Sequence, residues 1–224
     1  MSKISVLQLA YGEMAAPVLT ALAEDGRFEI PAIVTPPVDE ALYRPVARLP
    51  QEALAEKLGA EIVRTGSLKA LHEVVARIRP DLVLIATFSR IIPEETLALS
   101  SFVNIHHGQL PRQRGRANVN WAIINGEPSL SVSVHEAIGE LDAGDILRQF
   151  HIPIARTDDV ARVYGRINET LARALPDLLA AYRAGEITPQ AQDQTRATYT
   201  STRLPGDGRI DWRWPRARVL DFIR

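Results

Sequence analysis

The chain has 224 residues, 46% of them hydrophobic, which suits one larger α/β domain with or without an appendage and is too apolar for a disordered chain. A formal charge of -1 supplies no global field toward nucleic acid or an anionic membrane, and the lack of any cysteine excludes a disulfide framework, a thiolate nucleophile and a Cys-based zinc site. The opening MSKISVLQLAYGE is too short an apolar run for a signal segment, and no window of the chain could span a bilayer, so a soluble cytoplasmic protein is expected.

In chain order, Ile4 to Leu9 reads as a buried strand, Tyr11-Gly12 as a turn, and Ala15 to Ala23 as a helix. Glu29 to Thr35 is a second strand ended by Pro36-Pro37, and Val38 to Pro50 reads as a loop. A helix over Gln51 to Leu58, a short strand over Ala60 to Val63 and a helix from Ser67 to Ile78, capped by Ser67, come next. Asp81 to Ala86 is a continuous apolar strand of the kind buried on both faces. This alternation predicts an α/β fold with a Rossmann-like, doubly wound, mostly parallel sheet, in which ligands bind at the carboxyl ends of the strands. Further on lie a strand over Val103 to His106, a helix over Val119 to Asn125, and strands over Leu130 to Val134 and Asp145 to Ile152. A long helix follows, capped by Thr157, with an apolar stripe from Val160 to Tyr182, a kink at Pro176 and an end at Gly185.

The stretch VNIHHGQLPRQRG, Val103 to Gly115, places two of the five histidines side by side at a strand end. Three readings fit: a metal site, core histidines, or a general base with a polar partner. Alternation puts Asn104 and His106 on one face and turns His107 away. Adjacent strand histidines do not readily ligate one metal, and no HExxH pattern is present, so no metal is expected. An amide beside an imidazole suits attack on a carbonyl, since the amide donates to the developing oxyanion and the imidazole accepts a proton. An orienting carboxylate is available in Asp142 of LDAGD; by spacing alone it reads first as a turn former before Gly144.

FVNIHHGQLPRQRGRANVNWAIINGE followed by LDAGDIL resembles the folate-dependent formyltransferase family, which includes methionyl-tRNA formyltransferase, the amino-sugar formyltransferases and glycinamide ribonucleotide transformylase. Glu13 to Leu19 and Pro80 to Pro93 are similar to that family's first helix and its folate-side strand and loop. The resemblance implies the formyltransferase fold, a catalytic triad of Asn104, His106 and Asp142, and N10-formyltetrahydrofolate as formyl donor with no metal. It further implies a donor site along Ser89, Arg90 and Ile91 and the loop with Ile138, Gly139, Leu141 and Asp142. The loop after His106, with Gly108, Gln109, Arg112, Arg114, Gly115 and Arg116, would face a small-molecule amine acceptor. The chain departs from the family's common pattern at Gly108-Gln109, at Asn118 where many members have Pro, and at Ser131 where many have Gly.

The arginines of that loop read either as a solvated basic loop or as anion contacts. The acceptor ranked first is a nucleotide-linked amino sugar, followed by an aminoacyl group on tRNA or a carrier, then water in a hydrolase; nucleic acid is not the expected partner of a near-neutral chain. Residues 1–190 read as the catalytic domain and 191–224 as an extension resembling the linker to a C-terminal domain, which leaves room for a further domain or partner. The helix opening at Trp214 is read as cut at a boundary in preference to packing back on the body.

Overall fold

The computed structural model describes residues 2–10, 16–35 and 50–224. The expected turn at Tyr11-Gly12, the Pro36-Pro37 strand end and the loop beyond Val38 lie outside the described residues.

One mixed sheet dominates. Its strands are β1 (Ile4–Ala10), β2 (Phe28–Glu29), β3 (Ala32–Thr35), β4 (Glu61–Arg64), β5 (Leu82–Thr87), β6 (Ser101–His106), β8 (Ser129–Glu136) and β9 (Ile146–Pro153). They run in the order β4-β3-β1-β5-β6-β8-β9, with β2 also paired to β1. Pairing is parallel from β4 through β6 and antiparallel from β6 to β8 and β8 to β9. The chain therefore winds outward from β1 to β4, then crosses back to β5, which is the arrangement that leaves a crevice at the strand ends. The strand expected over Glu29 to Thr35 is split in two, because Pro31 has no N–H for the ladder; its carbonyl still accepts from Glu61 N at 2.9 Å.

Helices cover both faces. α1 (Ala16–Glu24), α5 (Asn118–Ile124) and α6 (Val160–Arg183) lie on one, where Leu82, Leu84, Val103, Ile105, Val132 and Val134 meet Leu19, Ile123, Ile167 and Leu171. On the other, α3 (Leu68–Ile78) sets Leu71, Val74 and Val75 against Leu7, Leu9, Val83, Ile85 and Phe102. Successive strand residues alternate between these two cores, and on β6 the second face continues past Phe102 with the polar Asn104 and His106. α2 (Pro50–Leu58), the short α4 (Glu94–Leu97) and α7 (Arg216–Ile223) complete the helices among the described residues. None of the described helices is long and apolar enough to cross a membrane.

The face beyond β6 is closed by chain from two distant places. β7 (Arg114–Gly115) pairs in parallel with β10 (Tyr199–Thr200), and Gln190 bridges to Ile146. The boundary expected at residue 190 thus falls at the start of a segment bonded to the loop after His106. α7 packs on the body, where Arg224 Nη1 donates to Ala155 O at 3.0 Å and to Asp158 O at 2.7 Å, while Trp214 meets Phe222 edge-on within the same segment, their centroids 5.1 Å apart.

The long helix starts two residues later than Thr157 would place it. Asp159 is the N-cap, its Oδ1 accepting from Arg162 N at 2.9 Å, while Asp158 accepts from Ala155 N at 2.7 Å just before. The helix runs unbroken through Pro176 and ends at Arg183, with Gly185 at φ 74. Asp159→Ala should cost about 1 kcal/mol in urea unfolding, whereas Thr157→Ala, which removes no cap, should stay within about 0.5 kcal/mol.

Candidate active site

β6 ends at His106, and its alternation sends Val103 and Ile105 into the first core while Asn104 and His106 face the opposite side. β8 runs antiparallel beside it, with Asn104 across from His135 and His106 across from Ser133. A register shift between Val134 and His135 bends β8 where it meets the site. The loop after β8 then folds back over the sheet. That return needs Gly144, where a Cβ would lie 1.9 Å from the carbonyl oxygen of Glu136. The fold-back carries Asp142, at φ 50, to a point between His106 and Asn104.

Asp142 joins the site through both oxygens. Oδ1 accepts from Asn104 Nδ2 at 3.2 Å, and Oδ2 accepts from Gly115 N at 2.9 Å and lies 3.4 Å from His106 Nδ1. His135 Nδ1 donates to Glu136 O at 2.7 Å, because a carbonyl can only accept. Its Nε2 is then the lone-pair nitrogen, and it accepts from Asn104 Nδ2 at 3.0 Å. This fixes the Asn104 amide: both N–H groups are held, one by a ring nitrogen and one by a carboxylate. The longer contact, to Asp142, is the one that an incoming oxygen could share.

His106 Nε2 lies 2.6 Å from Gln113 O and 3.3 Å from Asn118 Nδ2. With a carbonyl at one ring nitrogen and a carboxylate at the other, these two contacts are complementary to an imidazolium, the product of accepting a proton. Burial pulls the other way and wins. It holds the His106 pKa below the ordinary imidazole value, against the attraction of Asp142 and the Gln113 carbonyl and with help from nearby His135 and Arg114. Burial also pushes Asp142 up, but the neighbouring His106 and the Gly115 N–H outweigh that, so its carboxyl stays below the usual range and ionised. His107 packs edge-on against Tyr164 of α6 at 5.7 Å, and burial lowers it to about 4.

These residues floor a cavity of about 810 Å³. Its walls come from the end of β5 and the following loop (Ile85 to Ile92), from Gly115 to Asn118, and from Ala137 to Asp142. Ile91 (55% exposed), Ile138 (45%) and Leu141 (43%) are large apolar side chains left open around it. Ser89, Arg90, Ile91, Ile138, Leu141 and Asp142 therefore line the space where a donor was expected. Gly139 is not on the wall; it lies against the Glu94 carboxylate, where a Cβ would meet Oε1 at 2.6 Å. Among the described residues, no group of three or more His, Asp or Glu is arranged to hold a metal ion.

The expected acceptor loop divides. Gly115 and Arg116 line the cavity, and Arg116 Nη2 donates to Ser89 O at 2.7 Å, tying this loop to the one after β5. Gly108, Gln109 and Arg112 are off the wall; Gly108 sits behind His106, where a Cβ would meet Nε2 at 2.5 Å. Arg114 contradicts the expectation of an anion contact. It is 1% exposed, and its guanidinium is occupied by Gln192 Oε1 (2.8 Å), Gln194 Oε1 (2.6 Å) and Tyr199 OH (3.2 Å).

Several site residues went unread in the sequence: His135, Asn118, Gln192 and the Gln113 carbonyl. Alternation in LSVSVHE did set His135 on the face of Ser131 and Ser133, but only the strand register places it opposite Asn104. Nothing near Gln192 in the sequence points to the Asp142 loop.

Residues 2–179 match the model of the formyl transferase N-terminal family. A methionyl-tRNA formyltransferase of Geobacillus sp. is 31% identical over 226 residues, covering 99% of this chain and 71% of the relative. Among solved structures, HypX from Aquifex aeolicus in complex with tetrahydrofolic acid superposes with a TM-score of 0.74 at 20% identity; the match covers 99% of this chain and 33% of HypX. WlaRD, a sugar 3N-formyltransferase crystallised with dTDP and 5-N-formyltetrahydrofolate, superposes with a TM-score of 0.75 at 18% identity, covering 100% of this chain and 79% of that one. With the family match spanning most of its length and the relatives agreeing over nearly all of it, the chain belongs to the formyl transferase family.

Proposed function

We propose that this enzyme moves a formyl group from N10-formyltetrahydrofolate to a primary amine, and that the amine belongs to an aminoacyl group. The observation that carries the reading is the buried Asn104–His106–Asp142 set on the floor of an apolar-mouthed cavity, in a chain of this family. The donor supplies a formyl group on a nitrogen able to leave. Its flat ring system fits a crevice rimmed by Ile91, Ile138 and Leu141, with backbone polar groups of residues 88–91 and 137–142 alongside.

The remaining steps fall to the chain's own groups. Asn104 offers an N–H to the oxygen on which negative charge develops. His106, neutral through burial, takes the proton that the attacking amine must lose and returns it to the donor nitrogen as that nitrogen's bond to the formyl carbon breaks. Asp142 holds the ring and faces the positive charge that then forms. Gly115 N–H and Asn104 keep the carboxylate ionised and in place.

The aminoacyl acceptor is favoured over the amino sugar because the relatives about 30% identical along nearly the whole chain are methionyl-tRNA formyltransferases. The sugar acceptor remains the second reading, supported by the fold shared with WlaRD. Arg114 gives neither acceptor an anion contact, since it is 1% exposed with its terminal nitrogens bonded inside the protein. We count residues 191–201 with the catalytic unit, on the strength of their bonds to the loop after His106.

Tetrahydrofolate release should appear with methionyl-tRNA and not with nucleotide amino sugars or without amine. Release with the sugar alone would favour the second reading, and equal release without amine would mean hydrolysis. His106→Ala should lower kcat by at least about 100-fold and Asn104→Ala by about 100- to 1,000-fold, with folate binding retained in titration calorimetry.

The pH profile has a definite sign. The base works when neutral, and its pKa lies below the ordinary 6.5, so kcat/KM should hold level near neutrality and fall on the acid side below that value. Asp142 attracts the imidazolium; removing its charge in Asp142→Asn should shift that acid limb to still lower pH while reducing the plateau.

A further inference from the structure

Gln192 is a side chain to which the steps above give no part. It is 8% exposed and comes from the segment that follows α6. Its Nε2 donates to the carbonyl oxygens of Asp142 (2.9 Å) and Gly144 (2.6 Å), and its Oε1 accepts from Arg114 Nη2 (2.8 Å). Carbonyls only accept and a guanidinium only donates, so the amide has one workable orientation. It is also fully used, two donations on one end and an acceptance on the other.

Arg114 is the anchor on the other side. Besides Gln192 it reaches Gln194, Tyr199 and, at 3.5 Å, Glu140 of the Asp142 loop. Its backbone is stitched to the same C-terminal segment, with Arg114 N donating to Thr198 O at 2.9 Å and Thr200 Oγ1 to Arg114 O at 3.0 Å. The next residue, Gly115, gives its N–H to Asp142 Oδ2. The Asp142 loop is thus gripped twice from one structure, at its backbone by Gln192 and at its carboxylate by Gly115. Such a grip has work to do, because Asp142 sits at φ 50, a backbone region that a non-glycine residue keeps only when its surroundings hold it there.

We infer that Gln192 and Arg114 form a clasp that positions Asp142, and through it His106, for formyl transfer. Gln192 is a positioning residue, and Arg114 serves it as a buried anchor instead of binding substrate. The inference rests on the proposed role of Asp142 in orienting His106. A shift of even about 1 Å in such a carboxylate costs up to about 100-fold in rate, which is the scale the test must read.

The test compares wild type with Gln192→Glu, Gln192→Met and Asp142→Asn, measuring kcat, donor KM, the acid limb of kcat/KM, and thermal unfolding. Gln192→Glu keeps the size and the acceptance from Arg114 but sets oxygen against both loop carbonyls. Its kcat should fall about 10- to 100-fold with donor KM within about threefold. Gln192→Met, which adds no charge, should move the acid limb to lower pH, in the direction of Asp142→Asn. The charged and titratable groups around His106 are Asp142, His135, Arg114 and the adjacent His107, and of these only Asp142 is loosened as an attraction. Folded variants with wild-type kcat and an unmoved limb, changed in melting temperature alone, would overturn the inference and leave Gln192 as a tether for the C-terminal segment. If Gln192→Met does not fold, the kcat of Gln192→Glu decides. An Asp142→Asn enzyme with wild-type kinetics would instead sink the catalytic reading itself, so the two failures are told apart.

Discussion

A single buried carboxylate organises this molecule's chemistry. Asp142 has two oxygens on a side chain only 8% exposed, and each finds partners within the protein. The groups come from two parts of the chain: Asn104 and His106 from one strand, and Gly115 from the segment after it. To bring those parts within 3.4 Å the sheet must change direction after β6, the β8–β9 connection must fold back over it, and the C-terminal segment must close the side. The mixed sheet and the pairing of β7 with β10 both serve that convergence.

Around His106 two opposed effects are set against each other. Burial favours the neutral ring, which can accept a proton; the carboxylate and the Gln113 carbonyl favour the charged ring, which exists once the proton has arrived. A base that was only buried would resist becoming charged, and one that was only paired would already be protonated. His135 contributes indirectly. Its Nδ1–H is fixed on a backbone carbonyl, so its other nitrogen must accept, and that choice orients the Asn104 amide. The two neighbouring histidines, 106 and 107, are therefore not a pair: one meets Asp142 and the Gln113 carbonyl, and the other packs edge-on against Tyr164.

Much of this was legible beforehand, for reasons that differ by element. Ile4 to Leu9 and Asp81 to Ala86 announced buried strands because a strand covered on both faces reads as a nearly continuous apolar run, which Gln8, itself buried, interrupts in β1. Ser67 was readable as a cap because capping is local, and its Oγ does accept from Ala70 N at 3.3 Å. Local signals also misled where two candidates stood close together: Thr157 and Asp159 are both good caps, and the hydrogen bond that Asp159 Oδ1 accepts from Arg162 N settles which residue begins the helix. Arg114 looked like its neighbours Arg112 and Arg116 in the sequence, yet it alone points into the protein, where Gln192 and Gln194 wait nearly eighty residues further on.

The sequence by itself determined the period-two faces of the strands, the apolar stripe of α6, the placing of Asn104 and His106 on one side of β6, and a motif pattern sufficient to suggest the chemistry. These are properties of near neighbours, set by backbone geometry and side-chain type. Only the tertiary structure decided which arginine is buried, which way the Asn104 amide turns, and that a glutamine beyond the long helix holds the Asp142 loop. Each of those depends on a partner far away in the chain, and hydrogen-bond donors and acceptors carry no mark in the sequence of the distant group that will satisfy them.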